Sequence, residues 1–290
     1  MGGEFLLFTG ALRVFADFSC ARDDFTVVHD TEHPGFQILR EKYPIKQTAG
    51  DGGDFAKAER LMRWVCENVA HNGGTKEVPG DLLDSVSILD YSFGKGRECG
   101  VVCRHQAIVF TECCLALGLT ARTIHCLPFG PYDCDTHVVS MVYIRELAKW
   151  VLFDQSNNAY FQDRDGTPLS PLEARELLGL DQAVVSANVR PFSSCDYESK
   201  AGDYKRYMAK NLFYIKFSAV NTFGTDLVKG QKTYFLIPRG FDVKNREIAY
   251  CEYGADNSPE IYRDSWRGYS GEMKAQQINP VSAGQFLRIR

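Results

Sequence analysis

The chain of 290 residues has a formal net charge of -4, with 44% hydrophobic and 24% charged residues, the balance of a globular protein large enough to bury a substantial core. No polybasic run is present to neutralise phosphates or anionic lipid, and no apolar stretch approaches the ~20 residues that a bilayer-spanning helix needs. Nucleic acid and membrane are therefore not expected as partners. The ten cysteines would suit a disulfide framework only in a small secreted chain. Several, such as Cys66 and Cys114, fall on apolar helix stripes where a reduced thiol acts as a small hydrophobe, and no basic segment precedes the apolar residues near the start. A reducing, cytoplasmic setting is the expectation.

Taken in order, residues 1–53 are mixed in character, with turn-rich text at His29 to Gly35 and at Gly50, Gly52 and Gly53. They read as an N-terminal extension holding one or two short elements. Asp54 then stands as the cap of a helix whose apolar face is Phe55, Ala58, Leu61, Met62, Val65 and Val69, closed by Gly73 and Gly74. Trp64 on that helix is read as an interfacial core residue. Asp81 to Phe93 is expected as a second, shorter helix, and Gly94, Gly96 and Gly100 permit a tight backbone path after it.

That path leads to Cys103, followed by Ala107, Phe110, Cys114 and Leu117 at the spacing of one apolar stripe on an amphipathic helix that ends at Gly118. A thiol in the first turn feels the positive end of the helix dipole, and Arg104 adds positive charge beside it, so the thiolate is favoured. The unpaired N–H groups of that turn can also stabilise an oxyanion formed when sulfur attacks a carbonyl.

Further on, TARTIHCLP reads as a strand and FGPYDCD as a loop delivering His137. HVVSMVYI and KWVLFD then form two apolar runs around a short polar connection, the pattern of an antiparallel hairpin. If Ile144 faces Lys149, Asp154 falls opposite Val139, one diagonal step from His137 on the same sheet face. A carboxylate there would orient the imidazole, which would take the proton of Cys103.

The order helix-Cys, strand-His, strand-Asp, with GVVCRHQA, LGLTAR, THVV and WVLFDQS around it, resembles the transglutaminase-like superfamily of papain-type cysteine enzymes over roughly Phe55 to Leu178. The resemblance implies Cys103 as nucleophile, His137 as general base and acid, and Asp154 as its orienting partner. The chain departs from the family pattern in having Val101 and Val102 between Gly100 and Cys103, Val138 and Val139 after the histidine, and Gln155 after Asp154.

Other residues have plainer readings. Cys99 is a rival nucleophile, but it precedes Gly100 and lies off the helix stripe. His105 projects about 200° away from Cys103 around the helix. His125 is read as a satisfied core histidine, with cleft lining as the alternative. Asp133 and Asp135 are read as solvating the histidine loop, the alternative being recognition of a cationic substrate group. Arg122 is read as structural. The spacing of Cys126, Cys134 and His137 matches no zinc pattern, C-x-x-C is absent, and no acidic calcium loop is present, so no metal or other cofactor is expected.

Downstream, SPLE at Ser170 to Glu173 is a capping box with proline at the first helical position, opening a helix to Gly179. Beyond residue 183, Asp203 to Lys210 reads as a short helix, and Phe213 to Phe217, TYFLIP and EIAYCEY as strands, with a partly irregular end. The expectation is thus an α+β fold. Its papain-like, transglutaminase-like core (54–182) packs N-terminal helices on an antiparallel β-sheet. It is flanked by an N-terminal extension (1–53) and a β-rich C-terminal extension (183–290) that either extends the sheet or forms a small module. The expected function is cysteine-dependent acyl transfer from peptide or protein amides by hydrolysis, deamidation or transamidation; a catalytically silent peptide-binding domain on the same fold is the alternative. The sequence leaves the oligomeric state open.

Overall fold

The computed structural model describes residues 3–73, 82–96, 99–186, 197–226, 230–257, 260–275 and 277–289. The first part is largely helical: α1 (Gly3–Val14), a two-residue strand β1 (Val28–His29), α2 (Pro34–Lys42), α3 (Ile45–Ala49), α4 (Asp54–Asn68), α5 (Ser85–Lys95) and α6 (Cys103–Ala116). Strands β2 (Ala121–Leu127), β3 (His137–Ile144), β4 (Lys149–Phe153) and β5 (Phe161–Gln162) follow, then α7 (Pro171–Gly179) and β6 (Val184–Val185). The last part holds α8 (Tyr197–Asn211), β7 (Tyr214–Ser218), β8 (Val220–Asn221), β9 (Thr233–Leu236), α9 (Val243–Asn257), α10 (Glu260–Ala275), β10 (Pro280–Val281) and α11 (Ala283–Phe286).

A six-stranded sheet in the order β10-β9-β7-β2-β3-β4 divides the molecule, antiparallel throughout except for the parallel β10–β9 pair. Alternation along the strands sends Val142, Ile144, Val151 and Phe153 to one face, where they pack with α2 to α6. Val139, Met141, Trp150 and Leu152 go to the other, against α1, α7 and α8. Because both faces are covered, every residue of β2 is buried, the polar Arg122, Thr123 and His125 included. The C-terminal strands β7, β9 and β10 extend this sheet, while much of the remaining C-terminal part is helical.

Several elements differ from the sequence reading. The N-cap of α4 is Gly53; buried Asp54 instead accepts from the Arg145 guanidinium at 2.6 Å through both oxygens, a two-pronged charge-assisted contact that outweighs a cap bond. The helix also stops at Asn68, because the next residues run extended to pair with the approach to Cys103: Val101 N–H donates to Ala70 O and Asn72 N–H to Val101 O, both at 2.8 Å. The second helix begins at Ser85 with Asp84 and Ser87 forming a capping box; Asp81 and Gly74 lie outside the described residues. Helix α6 is not amphipathic, since Gln106 to Ala116 are all buried between α4, α5 and the sheet. EIAYCEY lies within α9, whose Gly254 receives the Trp266 ring of α10 at a distance a Cβ would violate. Helix–helix packing there overrides the strand-like text.

The hairpin and the later capping box agree with the sequence. Ile144 pairs with Lys149, and Ser170 caps α7 with Glu173 closing the box. Gly118 ends α6 at a φ of 76°, with its N–H donating to Leu115 O and that of Leu119 to Cys114 O.

Candidate active site

Cys103 is the first residue of α6. Its N-cap, Val102, offers no side-chain acceptor to the first-turn N–H groups; the His105 N–H is taken up by Val102 O at 3.0 Å, and the end of the helix is where a developing negative charge is favoured. The position is fixed from behind. Gly100 lies so close to Asn72 that a Cβ would sit 2.7 Å from the Asn72 Cβ and 3.0 Å from its backbone nitrogen, so only glycine lets residues 70–72 and 100–102 run together. His71, bridged to Val101 in this ladder, thereby comes alongside the sulfur.

His137 opens β3, and Asp154 follows the last residue of β4. In the observed register Ser140 pairs with Phe153, which places the two residues one diagonal step apart, and His137 Nε2 lies 2.7 Å from Asp154 Oδ2. Asp154 is fully buried, and its remaining acceptor capacity is filled by the N–H groups of Ser156 (3.0 Å) and Asn157 (3.1 Å) and by Asn157 Nδ2 (2.9 Å). Buried carboxylates need such partners. With the Nε2 proton directed to the carboxylate, Nδ1 is the nitrogen left for Cys103, and the two side chains line one cavity.

The electrostatics follow from these contacts. Burial alone would push the Cys103 thiol up, but hydrogen bonds from His137 and His71, the charge of His137 and the backbone N–H of Val138 outweigh it and bring the thiol down to about 6. Burial opposes charge on His137 as well, yet Asp154 and the sulfur raise the imidazole to about 10. Burial would raise Asp154, but the His137 charge and the bonds from His137 and Asn157 hold it below the usual carboxylate range. Near neutral pH the favoured state is a thiolate–imidazolium pair whose titration belongs to the pair.

A cavity of about 360 Å³ opens on these groups, and its wall includes His71, Cys103, Arg104, His125, His137 and Tyr207. Cys103 is partly exposed to it, whereas His137 is buried. His125 is both a cavity residue and a satisfied histidine: Asp226 lies 3.0 Å away and also pairs with Arg104 at 2.8 Å. His71 was missed in the sequence, where HNGG reads only as the end of a helix.

The other candidates lie apart from this relay. Cys99 does not line the cavity, and neither does His105, whose imidazole is pulled down to about 4, first by burial and then by Arg104. Asp133 and Asp135 are paired with Lys210 at 3.1 and 2.9 Å. Arg122 is fully buried, donating to Phe286 O and Arg288 O with its guanidinium 4.3 Å from the Trp150 ring centroid. Trp64 packs at the margin of the α2–α6 core. Among the described residues no group of three or more His, Cys, Asp or Glu side chains is arranged to hold a metal ion, nine cysteines are free thiols, and no helix is long and apolar enough to cross a membrane.

Residues 41–155, which carry Cys103, His137 and Asp154, match the family model of the transglutaminase-like superfamily. This segment is therefore similar to a transglutaminase-like core. The superfamily includes cysteine proteases and transglutaminases, so the fold is one used by cysteine enzymes. A solved structure of a candidate cysteine protease from Cytophaga hutchinsonii is similar at 17% identity and a TM-score of 0.32. That match covers 66% of this chain and 53% of the other, so the chain spans about half the length of that protein. No curated protein matches the chain significantly.

Proposed function

We propose that the chain is a cysteine-dependent acyl-transfer enzyme acting on peptide or protein amides. Cys103 thiolate attacks the amide carbonyl, and the tetrahedral oxyanion is met by the Cys103 N–H at the start of α6 and by the His71 imidazole. His137, oriented by Asp154, delivers its proton to the leaving amine as the thioester forms, then deprotonates the water or amine that resolves it. Hydrolysis is the favoured outcome, because water is always present whereas an amine acceptor needs a site of its own.

The observation that carries this reading is the convergence of three side chains: His137 Nε2 lies 2.7 Å from the buried Asp154, and His137 and Cys103 line the same cavity of about 360 Å³. A buried histidine tied to a buried carboxylate is common in cores. One that also lowers an accessible thiol at a helix start has the parts of a nucleophilic relay.

The test is capture of the acyl-enzyme with an electrophilic amide or ester probe, followed by mass mapping. Label is expected at Cys103 alone, lost in Cys103→Ala and in folded His137→Ala. Uniform slow labelling of the ten cysteines would instead identify a silent peptide-binding domain.

A further inference from the structure

The residues from Pro128 to Thr136 join β2 to β3 and lead directly into His137. Within themselves they form a weak turn, with Asp133 N–H 3.4 Å from Gly130 O and Asp135 N–H donating to Asp133 Oδ1 at 3.0 Å. Their stronger polar contacts come from helices α8 and α9, outside the segment that matches the superfamily model. Lys210 of α8 donates to Asp135 Oδ2 and to the Asp135 carbonyl, both at 2.9 Å, and pairs with the Asp133 carboxylate at 3.1 Å. Three donors meet three acceptors on a side chain only 12% exposed, so Lys210 is saturated.

Tyr207 stands on the same face of α8, three residues before Lys210. Its hydroxyl donates to Asp135 Oδ1 at 3.1 Å, and its ring meets the His137 imidazole edge-on, with centroids 5.1 Å apart and planes at 65°. From α9, Arg246 donates to Gly130 O at 3.1 Å and is backed by Glu247 at 2.8 Å, which the Tyr214 hydroxyl also reaches. The two loop carboxylates thus already hold an internal cation, so a substrate cation would have to displace Lys210.

We propose that Tyr207 and Lys210 are positioning residues that clasp this loop and hold the His137 ring where it reaches Asp154 and Cys103 together. The inference rests on the assignment of His137 as the base of the proposed reaction. Asp154 anchors one nitrogen of the ring, but a ring anchored at one atom can still swing about that bond. The Tyr207 wall removes that freedom, and the Lys210–Asp135 contact holds both the wall and the backbone entering β3.

The clasp is tested in the full chain by the rate of iodoacetamide alkylation at Cys103 as a function of pH, with peptide mapping and a thermal melt alongside. Lys210→Met is expected to slow alkylation near pH 7 about tenfold or more and to move the half-maximal pH upward. Lys210→Arg should restore most of the rate, and Lys205→Met, which removes the pair between Lys205 of the same helix and Asp181 beyond α7, should match wild type. A folded Lys210→Met with the wild-type profile overturns the clasp, as does a Lys210→Arg variant that is equally impaired. If Lys210→Met does not fold, Tyr207→Phe, which deletes one hydroxyl, decides: an upward shift supports the clasp, an unchanged profile overturns it. A wild-type Cys103 no faster than the other thiols overturns the clasp and the proposed function together, whereas retained reactivity in the variants overturns the clasp alone.

Discussion

Helix α6 carries thiols in two settings. Cys103 begins it, on the cavity, with two imidazoles and a backbone N–H at its sulfur; Cys113 and Cys114 lie near its other end, fully buried in the core beneath α4 and α5. Burial pushes all three thiols upward. For Cys113 nothing opposes it and the charge of Glu112 adds to it, so the thiol is held far above the ordinary range; Cys114 is raised in the same way. For Cys103 the histidines reverse the outcome. Desolvation makes a cysteine inert unless donors are built around it, and the start of a helix contributes only part of what is needed.

The largest expected effect comes from removing the principal donor. His137→Ala should return Cys103 to the behaviour of the buried thiols and lower kcat on the order of 10⁴-fold or more, since members of such a relay fail together. Turnover of an amide probe, with a melting curve to confirm folding, checks this; activity within tenfold of wild type would remove His137 from the mechanism. A smaller effect is expected at the second imidazole. His71→Ala should lower kcat about a hundredfold with little change in KM, the signature of a donor used mainly in the transition state.

The pH profile sharpens the same contrast. The Cys103 thiol is depressed to about 6 and His137 raised to about 10, so the reactive pair is lost below the first value as sulfur gains a proton, and above the second as the imidazole loses the proton that the leaving amine needs. Turnover should therefore follow a broad bell between these values, and His71→Ala should move its acid limb upward. An acid limb near the ordinary thiol range in wild type would contradict the hydrogen bonding described. The smallest effect is expected from Cys113→Ala, which should leave Cys103 alkylation unchanged and cost about 1 kcal/mol of stability in urea unfolding, through the lost buried sulfur alone.

Where the sequence was informative, the governing interaction was local. The β3–β4 register follows from the short connection that sets Ile144 against Lys149, and this is enough to bring His137 and Asp154 together. The capping box at Ser170 and Glu173 lies within a single turn of chain. His71 escaped notice because its place depends on pairing with Val101, thirty residues away, and on α4 stopping at Asn68 although apolar periodicity continues to Val69. The helical α9 was hidden because EIAYCEY reads like a strand in isolation, whereas its helix is set by packing against α10, with the Trp266 ring on Gly254. Likewise, Lys210 and Arg246 are ordinary surface-type cations in the text; only the fold turns them toward the loop before His137.

The close approach at Gly100 makes the route into α6 and the extended segment bearing His71 a single mechanical part. A methyl group there would wedge the two extended segments apart, withdrawing one imidazole while leaving the other in its grip on the carboxylate. This seam therefore tolerates no added atom, and Gly100→Ala would alter the setting of the sulfur without replacing any residue of the cavity wall.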